Sequence, residues 1–408
     1  MKAFILGGLV SLGLAMNLQA GDSALDAELG GETYWEDLTD GTIDLYENED
    51  SPWIQRVQLM GRFQYQAAAV DGSDVRGTDF WETYSDFRRV RLETEIDFLR
   101  YFTTKVGVNL VDDRRFRGER NTGFGYDDFV NAWVAVDLED LFDLKVVDDL
   151  DLQFGRQKVK VGYEHRQSSN DIYTVERSAL SDRISGQEGR PTGFMLSAEK
   201  GDFALDLGYF SVSPDEILAS FDGDGFYYAS LGYQPNKKWD FRADLVLSDS
   251  EGRVGEGTGY GWVSALSGSY ETKRKGVAVT LAYGDNGGAE SGNVRARRQG
   301  NFYGAMVMPW YWVKKEKLQI VGQVQWQGSE EAEGIRIASR YLRQIDDQRG
   351  YEIENGRGDE HFSAYFGVNY HPWKNNTKIM TGVAYDELST RSGQVSGVSY
   401  FLAFRSEF

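Results

Sequence analysis

The chain has 408 residues, a formal net charge of −20, no cysteine and three histidines. Without cysteine it can form neither a disulfide nor a thiolate site, and three histidines leave little room for a histidine metal centre. So acidic a chain is a poor candidate for nucleic-acid binding. We therefore expect no metal, no cofactor and no nucleic-acid partner.

The first twenty residues have the pattern of a signal peptide. Lys2 supplies a positive charge, and residues 3–16 form an apolar stretch that is too short to span a bilayer. We predict export and cleavage near Ala20, although Leu18 leaves the exact site open. The alternative is a buried N-terminal helix.

Residues 21–52 form an acidic leader. Eleven Asp and Glu residues, and no Lys or Arg, lie between residues 21 and 50. Such a run is typical of a solvated tail rather than of a dedicated binding element. The role of the leader stays open.

Residues 53–408 alternate between apolar and polar side chains with a period of two, which is the pattern of strands with one polar face. In "RRVRLETEIDF" (88–98), for example, one parity carries Val90, Leu92, Ile96 and Phe98, and the other carries Arg89, Arg91, Glu93, Glu95 and Asp97. Most segments run about ten residues, the length of a tilted membrane strand. No apolar run of 18 residues exists after the first twenty, which excludes transmembrane helices. Sixteen such segments begin near residues 53, 86, 102, 128, 149, 192, 203, 225, 238, 260, 276, 301, 317, 361, 377 and 396.

The connectors alternate in length. Those on one side are short, except residues 138–148, where we predict a brief turn of helix. This alternation is the plan of an outer-membrane barrel with short periplasmic turns and long outer loops. The fold class is therefore all-β, a transmembrane antiparallel barrel of 16 strands in contact with outer-membrane lipid. The long connectors are 67–85, 112–126, 159–191, 213–224, 249–259, 285–300, 328–360 and 386–395.

A barrel of this size has a lumen too wide for wall side chains to fill. A long loop folded inward would narrow it, and the connectors 159–191 and 328–360 are long enough. We name the connector 159–191 loop three. From Arg156 to Arg190 there are seven basic and five acidic residues, so this part is locally positive in an acidic chain.

The chain ends in "GVSYFLAFRSEF", whose last residue is Phe408. A terminal aromatic on an amphipathic last strand looks like the signal that the barrel assembly machinery reads. The 23 Tyr, 23 Phe and 10 Trp residues are expected to form two aromatic girdles at the membrane interfaces.

The stretch around loop three resembles the phosphate-selective porin O and P family. The family has a strand of the form G-Q-x-K that leads into an inward loop with an E…S…ER pattern, and "DFRRVRLETEIDF" is similar to its early arginine-bearing strand. The matching positions in this chain are Gly155, Gln157, Lys158, Glu164, Ser168 or Ser169, Glu176, Arg177, Arg88, Arg89 and Arg91. The resemblance implies a homotrimeric outer-membrane channel in which loop three forms the constriction.

In that family, arginine and lysine side chains guide anions through the lumen. The resemblance implies that Arg89, Arg91, Arg156 and Lys158 lie on the wall and that Lys160, Arg166, Arg177 and Arg183 lie on loop three. Arg156 and Lys158 face the lumen only if their strand changes parity, for which a bulge at Gly155 is one means.

The lumen parity also carries acids: Glu93, Glu95, Asp97, Asp240 and Asp244. The predicted function is therefore passive diffusion of small hydrophilic solutes and ions, with anions such as phosphate as one class. The alternatives are a general or cation-preferring porin, and a plugged structural or adhesive barrel. An enzyme is not expected. A barrel hydrolase would need a nucleophile beside a base, and the sequence offers His165 near Ser168 and Ser169.

Overall fold

The structure is a computed structural model, and it describes most of the chain from residue 42 onward. The described residues are 42–111, 120–121, 123–185, 190–211, 225–249, 259–287, 300–337, 339–345, 350–373 and 375–408. The predicted signal peptide and most of the predicted leader lie outside them, so both stay predictions.

Sixteen long strands form a closed antiparallel barrel within the described residues, as predicted. Each strand pairs with its neighbours in the chain, and the first strand pairs with the last over Arg62–Ser73 and Ser396–Glu407. All but one of the predicted segments begin within two residues of an observed strand. The strands are β1 Ile54–Ser73, β2 Asp79–Phe98, β3 Phe102–Asn109, β4 Asp128–Asp137, β5 Asp149–Arg156, β6 Thr192–Lys200, β7 Phe203–Ser211, β8 Gly225–Asn236, β9 Trp239–Asp249, β10 Trp262–Glu271, β11 Lys275–Asp285, β12 Asn301–Lys314, β13 Leu318–Ser329, β14 Glu360–Trp373, β15 Thr377–Ser389 and β16 Gln394–Glu407.

The alternation of side chains separates an apolar outer face from a polar inner face. On β13, Val324 and Trp326 are exposed on the outside, whereas Gln323 and Gln325 are buried on the inside. The inner side needs polar groups because it meets water or an inward loop, whereas the outer side meets hydrocarbon.

Aromatic rings gather at both ends of the outer face, which confirms the predicted girdles. At the loop end, Tyr283 and Tyr303 contact each other on adjacent strands, and Tyr303 contacts Trp326 on the next strand. At the turn end, Trp239 packs against Tyr270 at 4.7 Å between ring centroids. Amphipathic rings are favoured at this level because one edge meets lipid tails and the other meets head groups.

Two connectors that were predicted to be long are short in the structure. The connector placed at 67–85 is only residues 74–78, because β1 and β2 continue to Ser73 and from Asp79. Likewise, only residues 390–393 separate β15 from β16. The alternation fades at these strand ends because their inner faces are apolar: Ala68, Val70, Phe80, Tyr84, Leu388 and Val395 are all buried. Tyr341 of the connector between β13 and β14 stacks on Tyr84 at 5.5 Å, so these faces meet protein rather than water.

The end of the acidic leader is paired rather than a free tail. Residues Ile43–Glu47 form a short strand along β1, with Ile43 opposite Leu59 and Glu47 opposite Arg56. This strand covers the part of the β1 edge that extends past the end of β16, where backbone groups would otherwise lack a partner.

Phe408 closes the barrel. Its carbonyl accepts a hydrogen bond from the Gly61 amide at 2.7 Å, and its own amide donates to the Gly61 carbonyl at 3.1 Å. The Phe408 ring occupies the space beside Gly61, where an added Cβ would lie 2.1 Å from the ring. A side chain at position 61 would therefore have to displace this ring.

The one long periplasmic turn contains the predicted turn of helix, α1, at Leu138–Phe142. Asp137 caps it by accepting a hydrogen bond from the Asp140 amide at 2.9 Å, which satisfies an N-terminal amide of the helix. Among the described residues, no helix has the length and apolar character that crossing a membrane requires.

Candidate solute channel

Loop three, which joins β5 to β6, lies against the inner face of the barrel. Its described part contains two short helices, α2 at Gly162–Arg166 and α3 at Ala179–Ile184. The α2 amide of Gly162 donates to Asp244 on β9 at 2.8 Å, and the Leu180 amide of α3 donates to Gln325 on β13 at 3.2 Å. Inner-face polar side chains therefore hold both helices.

Basic side chains of the last strands bind the loop backbone. Arg405 of β16 donates to the carbonyls of Ser169 and Val175, and Lys378 of β15 donates to the carbonyl of Ile172 at 3.1 Å. Arg405 and Lys378 are 1% exposed. Buried carbonyls need a donor, so these two cations anchor loop three.

A buried carboxylate stabilises the inside of the loop. Glu164 of α2 accepts hydrogen bonds from the amide and hydroxyl of Ser178, the N-cap of α3, and from Gln323 of β13 at 3.0 Å. Burial raises the pKa of Glu164, although the bonds from Ser178 oppose that effect. The serine that meets Glu164 is thus Ser178, not Ser168 or Ser169.

Glu176 fastens the far part of loop three to β2. It accepts from Arg88 at 2.9 Å and from Gln66 at 2.6 Å. Burial opposes ionisation of Glu176, but the Arg88 and Arg340 guanidiniums outweigh it and hold the pKa of this carboxyl well below its ordinary value. Glu176 is therefore a charged anchor at neutral pH.

A bulge in β2 turns two consecutive arginines inward. The pairing register shifts there, with Gln64 opposite Arg89 but Tyr65 opposite Phe87. Arg88 bonds to Glu176 and Arg89 donates to Gln64 at 3.0 Å. Because a bulge adds one residue to one strand, neighbouring side chains can point the same way.

A second segment also lies inside the barrel mouth. In the connector between β13 and β14, Arg340 donates to Asp86 of β2 at 2.7 Å, and the Tyr341 hydroxyl donates to the same carboxylate at 2.6 Å. Its apolar residues Ile337, Leu342 and Ile345 are buried. Sequence reasoning identified this connector as long enough to fold inward but assigned it no functional residue.

These elements leave a water-accessible cavity of about 1000 Å³ in the lumen. Its lining is strongly basic. Among the described residues that line it, fifteen are basic: Arg62, Arg88, Arg89, Arg91, Lys105, Lys158, Lys160, Arg166, Arg177, Arg183, Arg190, Arg336, Arg340, Arg343 and Arg357. Five are acidic: Glu93, Asp127, Asp128, Asp182 and Asp206. The lining therefore has ten more Lys and Arg than Asp and Glu residues, in a chain of net charge −20.

Seven of the eight residues predicted for the constriction lie along this cavity. They are Arg89, Arg91, Lys158, Lys160, Arg166, Arg177 and Arg183. Arg156 is not among the lining residues. It is 3% exposed and donates to the Phe129 carbonyl at 2.6 Å and to Asp128 at 3.2 Å. The backbone does depart from regular strand geometry beside it, where Gly155 has a φ of +130°.

The loop cations differ in how their charge is balanced. Arg166 binds Asp244 of β9, and Arg183 binds Asn286 and lies over the Phe302 ring at 4.2 Å. Lys158 instead donates to the Gln167 carbonyl at 3.1 Å, and Arg177 donates to the carbonyls of Glu164 and Gln167. A carbonyl satisfies a hydrogen bond without cancelling the charge.

Burial alters the pKa of two loop bases. Burial, reinforced by Arg177 and other cations, lowers the pKa of Lys158 to about 5. Burial also lowers the pKa of His165 to about 3, so its imidazole is neutral at neutral pH.

Several cavity residues were missed by sequence reasoning. Arg62 lies on the polar face of β1 and could have been predicted as a lumen residue from the alternation. Arg336, Arg340 and Arg343 recur at spacings of three and four, but no period of two marks them because they lie outside the strands. The acids Glu95 and Asp97, which share the lumen parity, do not line this cavity: Glu95 pairs with Lys105 at 3.1 Å and Asp97 with Arg56 at 2.7 Å.

The residues of the hydrolase alternative have other partners. The hydroxyls of Ser168 and Ser169 accept hydrogen bonds from Arg62 at 3.0 and 2.7 Å. His165 lies 3.9 Å from Asp182. In the described part of the chain, His165 thus forms no hydrogen bond with either hydroxyl, and nucleophilic catalysis requires such a contact.

Comparison with known proteins agrees with this architecture. Residues 57–241 match the family model for phosphate-selective porin O and P. This part of the chain is therefore similar to that porin family. The match spans β1 to the start of β9 and includes loop three and the bulged strand β2. A search of curated proteins finds no match.

Solved porin structures share the fold of this porin at low identity. OmpT of Vibrio cholerae is 12% identical with a TM-score of 0.55, covering 86% of this chain and 97% of its own. An anion-selective porin from Comamonas acidovorans is 12% identical with a TM-score of 0.54, covering 86% and 99%. The outer membrane channel DcaP of Acinetobacter baumannii is 11% identical with a TM-score of 0.52, covering 89% and 100%. Family and fold together place the protein in the bacterial outer membrane as a porin.

Proposed function

We propose that this porin is a passive diffusion channel that prefers small anions over cations. The observation that carries the proposal is the excess of ten basic over acidic residues along the lumen cavity. Fixed cations in a narrow passage with low-dielectric walls raise the local concentration of anions and repel cations. A matching family model for phosphate-selective porins adds to the case.

Inorganic phosphate and small organic anions are the solutes that this lining suits best. Arg177 lies on the loop side of the cavity and donates to backbone carbonyls, so its hydrogen bonds leave its charge available for a solute. Arg89 and Arg91 line the same cavity from β2. Guanidinium groups bind phosphate and carboxylate through paired N–H donors.

The runner-up is a general porin with little charge preference. The observation in its favour is that acids also line the cavity, among them Asp127, Asp128 and Asp206. Lipid-bilayer recordings in a KCl gradient test both: the anion proposal requires a reversal potential displaced toward chloride, whereas a general porin gives a value near zero. Absence of open-channel steps from folded protein would instead support a plugged barrel.

Two assembly properties are proposed with this function. The family resemblance implies a homotrimer, which detergent-resistant migration and cross-linking of purified protein test. The terminal Phe408 is proposed to be read by the barrel assembly machinery. Its deletion would then lower the amount of assembled porin in the outer membrane while the soluble precursor accumulates.

A further inference from the structure

Three neighbouring turns at the periplasmic end of the barrel carry a cluster of basic residues. They are the turns β8–β9, β10–β11 and β12–β13, which together with the adjoining strand ends hold eight Lys and Arg but only two acids, Glu271 and Glu316. All eight basic side chains are exposed. We name them the basic arc: Lys237, Lys238, Lys273, Arg274, Lys275, Lys314, Lys315 and Lys317.

Backbone hydrogen bonds hold these turns side by side. The Lys238 carbonyl accepts a hydrogen bond from the Glu271 amide at 2.8 Å, and the Arg274 carbonyl accepts one from the Trp312 amide at 2.7 Å. Because neighbouring strands lie about 4.8 Å apart, consecutive hairpins are about 10 Å apart. The eight bases therefore form one continuous surface.

Most charges of the basic arc are not balanced by acids. Lys315 pairs with Glu316 at 2.6 Å, and Lys317 donates to the Pro372 carbonyl at 2.9 Å. Among the residues that the structure describes, no carboxylate lies within ion-pairing distance of the other six bases of the arc. Like charges that lie close together repel one another, so anions that gather beside the arc would stabilise it.

The basic arc lies beside the aromatic girdle at the turn end. Lys275 is directly opposite Tyr311 in the strand pairing, and Lys238 precedes Trp239 in the chain. Trp239 and Tyr311 are 42% and 41% exposed. Such amphipathic rings lie at the level of the lipid head groups, and long lysine side chains extend from that level toward charge. The arc therefore faces the head groups of the periplasmic leaflet.

The other side of the same rim carries the opposite charge. The turns β4–β5 and β6–β7, with the adjoining strand ends, hold only two bases, Lys145 and Lys200. They hold eight acids: Asp137, Glu139, Asp140, Asp143, Asp148, Asp149, Glu199 and Asp202. A large polyanion that covered the whole rim, such as peptidoglycan or an acidic protein, would meet both regions. Small head groups move independently and can gather at the basic side alone, so the surface fits lipid better.

We propose that the basic arc binds the head groups of anionic phospholipids in the periplasmic leaflet and so anchors this side of the barrel in the membrane. Each Lys or Arg beside an anionic leaflet adds to the attraction. The phosphate oxygens of the lipids accept hydrogen bonds from the ammonium and guanidinium groups. This binding site is separate from the lumen, because none of the eight bases lines the cavity.

Retention of lipid by the purified full chain tests the proposal. The porin in neutral detergent is equilibrated with equal amounts of phosphatidylglycerol, which is anionic, and phosphatidylcholine, which has no net charge. The lipid that stays with the protein is then quantified by mass spectrometry. We expect phosphatidylglycerol to be retained at least about tenfold more than phosphatidylcholine, and this preference to fall as salt is added.

The test variant is the triple substitution Lys273→Gln, Arg274→Gln and Lys275→Gln, which should reduce the preference at least about fivefold. The matched control is Arg100→Gln, Lys145→Gln and Lys200→Gln. It removes the same charge from the same end of the barrel but outside the arc, so it should keep the preference. Lys237→Gln with Lys238→Gln is a second arc variant, which should lose part of the preference and serves if the triple does not assemble.

Three results would overturn the inference. The first is equal retention of the two lipids by the unmodified protein, and the second is an equal effect of the arc and control substitutions. The third is salt-sensitive binding of the unmodified protein to isolated peptidoglycan without any lipid preference. Ion selectivity of the channel should be the same in the arc variant as in the unmodified protein, so a failure here leaves the proposed anion preference untouched.

Discussion

At the scale of single residues, some cations of the inner face hold loop three in place, and others line the cavity through which a solute would pass. Arg405 and Lys378 bind loop carbonyls in full burial, and Arg88 binds Glu176. Sequence parity places such residues inside the barrel but cannot tell an anchor from a pore residue. That distinction depends on where loop three lies, and period-two alternation carries no information about a loop.

Position 61 gives a residue-scale prediction. We expect Gly61→Val to displace the Phe408 ring from β1 and to destabilise barrel closure by about 1–3 kcal/mol, as overpacking does. Unfolding in urea, followed by the heat-dependent shift in electrophoretic mobility, measures the change. Gly322→Val on β13 is the control, because an added Cβ there meets Pro309 at an ordinary 3.7 Å. Equal stability of the two variants would contradict this account of Phe408.

Lys158 predicts how selectivity depends on pH. Its pKa of about 5 lies below the usual value for lysine, so the amine is neutral at neutral pH and becomes charged as the pH falls through about 5. We expect anion preference to rise on acidification from about pH 7 to about pH 4, and Lys158→Gln to lose part of this rise. Reversal potentials across this range measure it. Carboxylates also titrate in this pH range, so the relevant quantity is the difference in reversal potential between the unmodified protein and Lys158→Gln. If the two proteins showed the same dependence on pH, a role for Lys158 would be refuted.

At the scale of elements, most of the strands follow from the sequence. Polar and apolar residues must alternate wherever one face meets lipid and the other meets water, and fifteen strands were located to within two residues. The rule fails at the ends of β1, β2, β15 and β16, where an inward segment makes the inner face apolar too. The sequence did not predict the β2 bulge either, because a single extra residue only interrupts the period-two alternation.

Loop three supplies the element-scale prediction. Arg405→Gln leaves at least one of the loop carbonyls of Ser169 and Val175 without its donor, at a cost of about 1–3 kcal/mol each. The barrel keeps its strand pairing, so we expect a folded porin with a looser loop, larger mean conductance and more frequent current fluctuations. Single-channel records measure both. Arg274→Gln, at an exposed periplasmic turn, should behave like the unmodified protein. A quiet channel of unchanged conductance in Arg405→Gln would show that the anchor is dispensable.

At the scale of the whole molecule, acidic and basic residues are concentrated in different places. The chain is acidic, with eleven acids in the leader alone, yet the described cavity lining is basic. Net charge therefore says little about the passage, and the local excess between Arg156 and Arg190 was the better guide. The sequence could not reveal the total charge of the cavity lining. The cavity brings together β1–β4, loop three and the connector between β13 and β14, which are far apart in the chain.

The reversal potential of the purified porin in a KCl gradient tests the central claim most directly. The account predicts a displacement toward chloride in the unmodified protein. It also predicts that the double substitution Arg91→Gln with Arg177→Gln reduces the anion-to-cation permeability ratio by about fivefold or more. Arg56→Gln, which removes a cation outside the cavity lining, should leave the ratio unchanged. A reversal potential at zero or toward potassium in the unmodified protein would contradict the account.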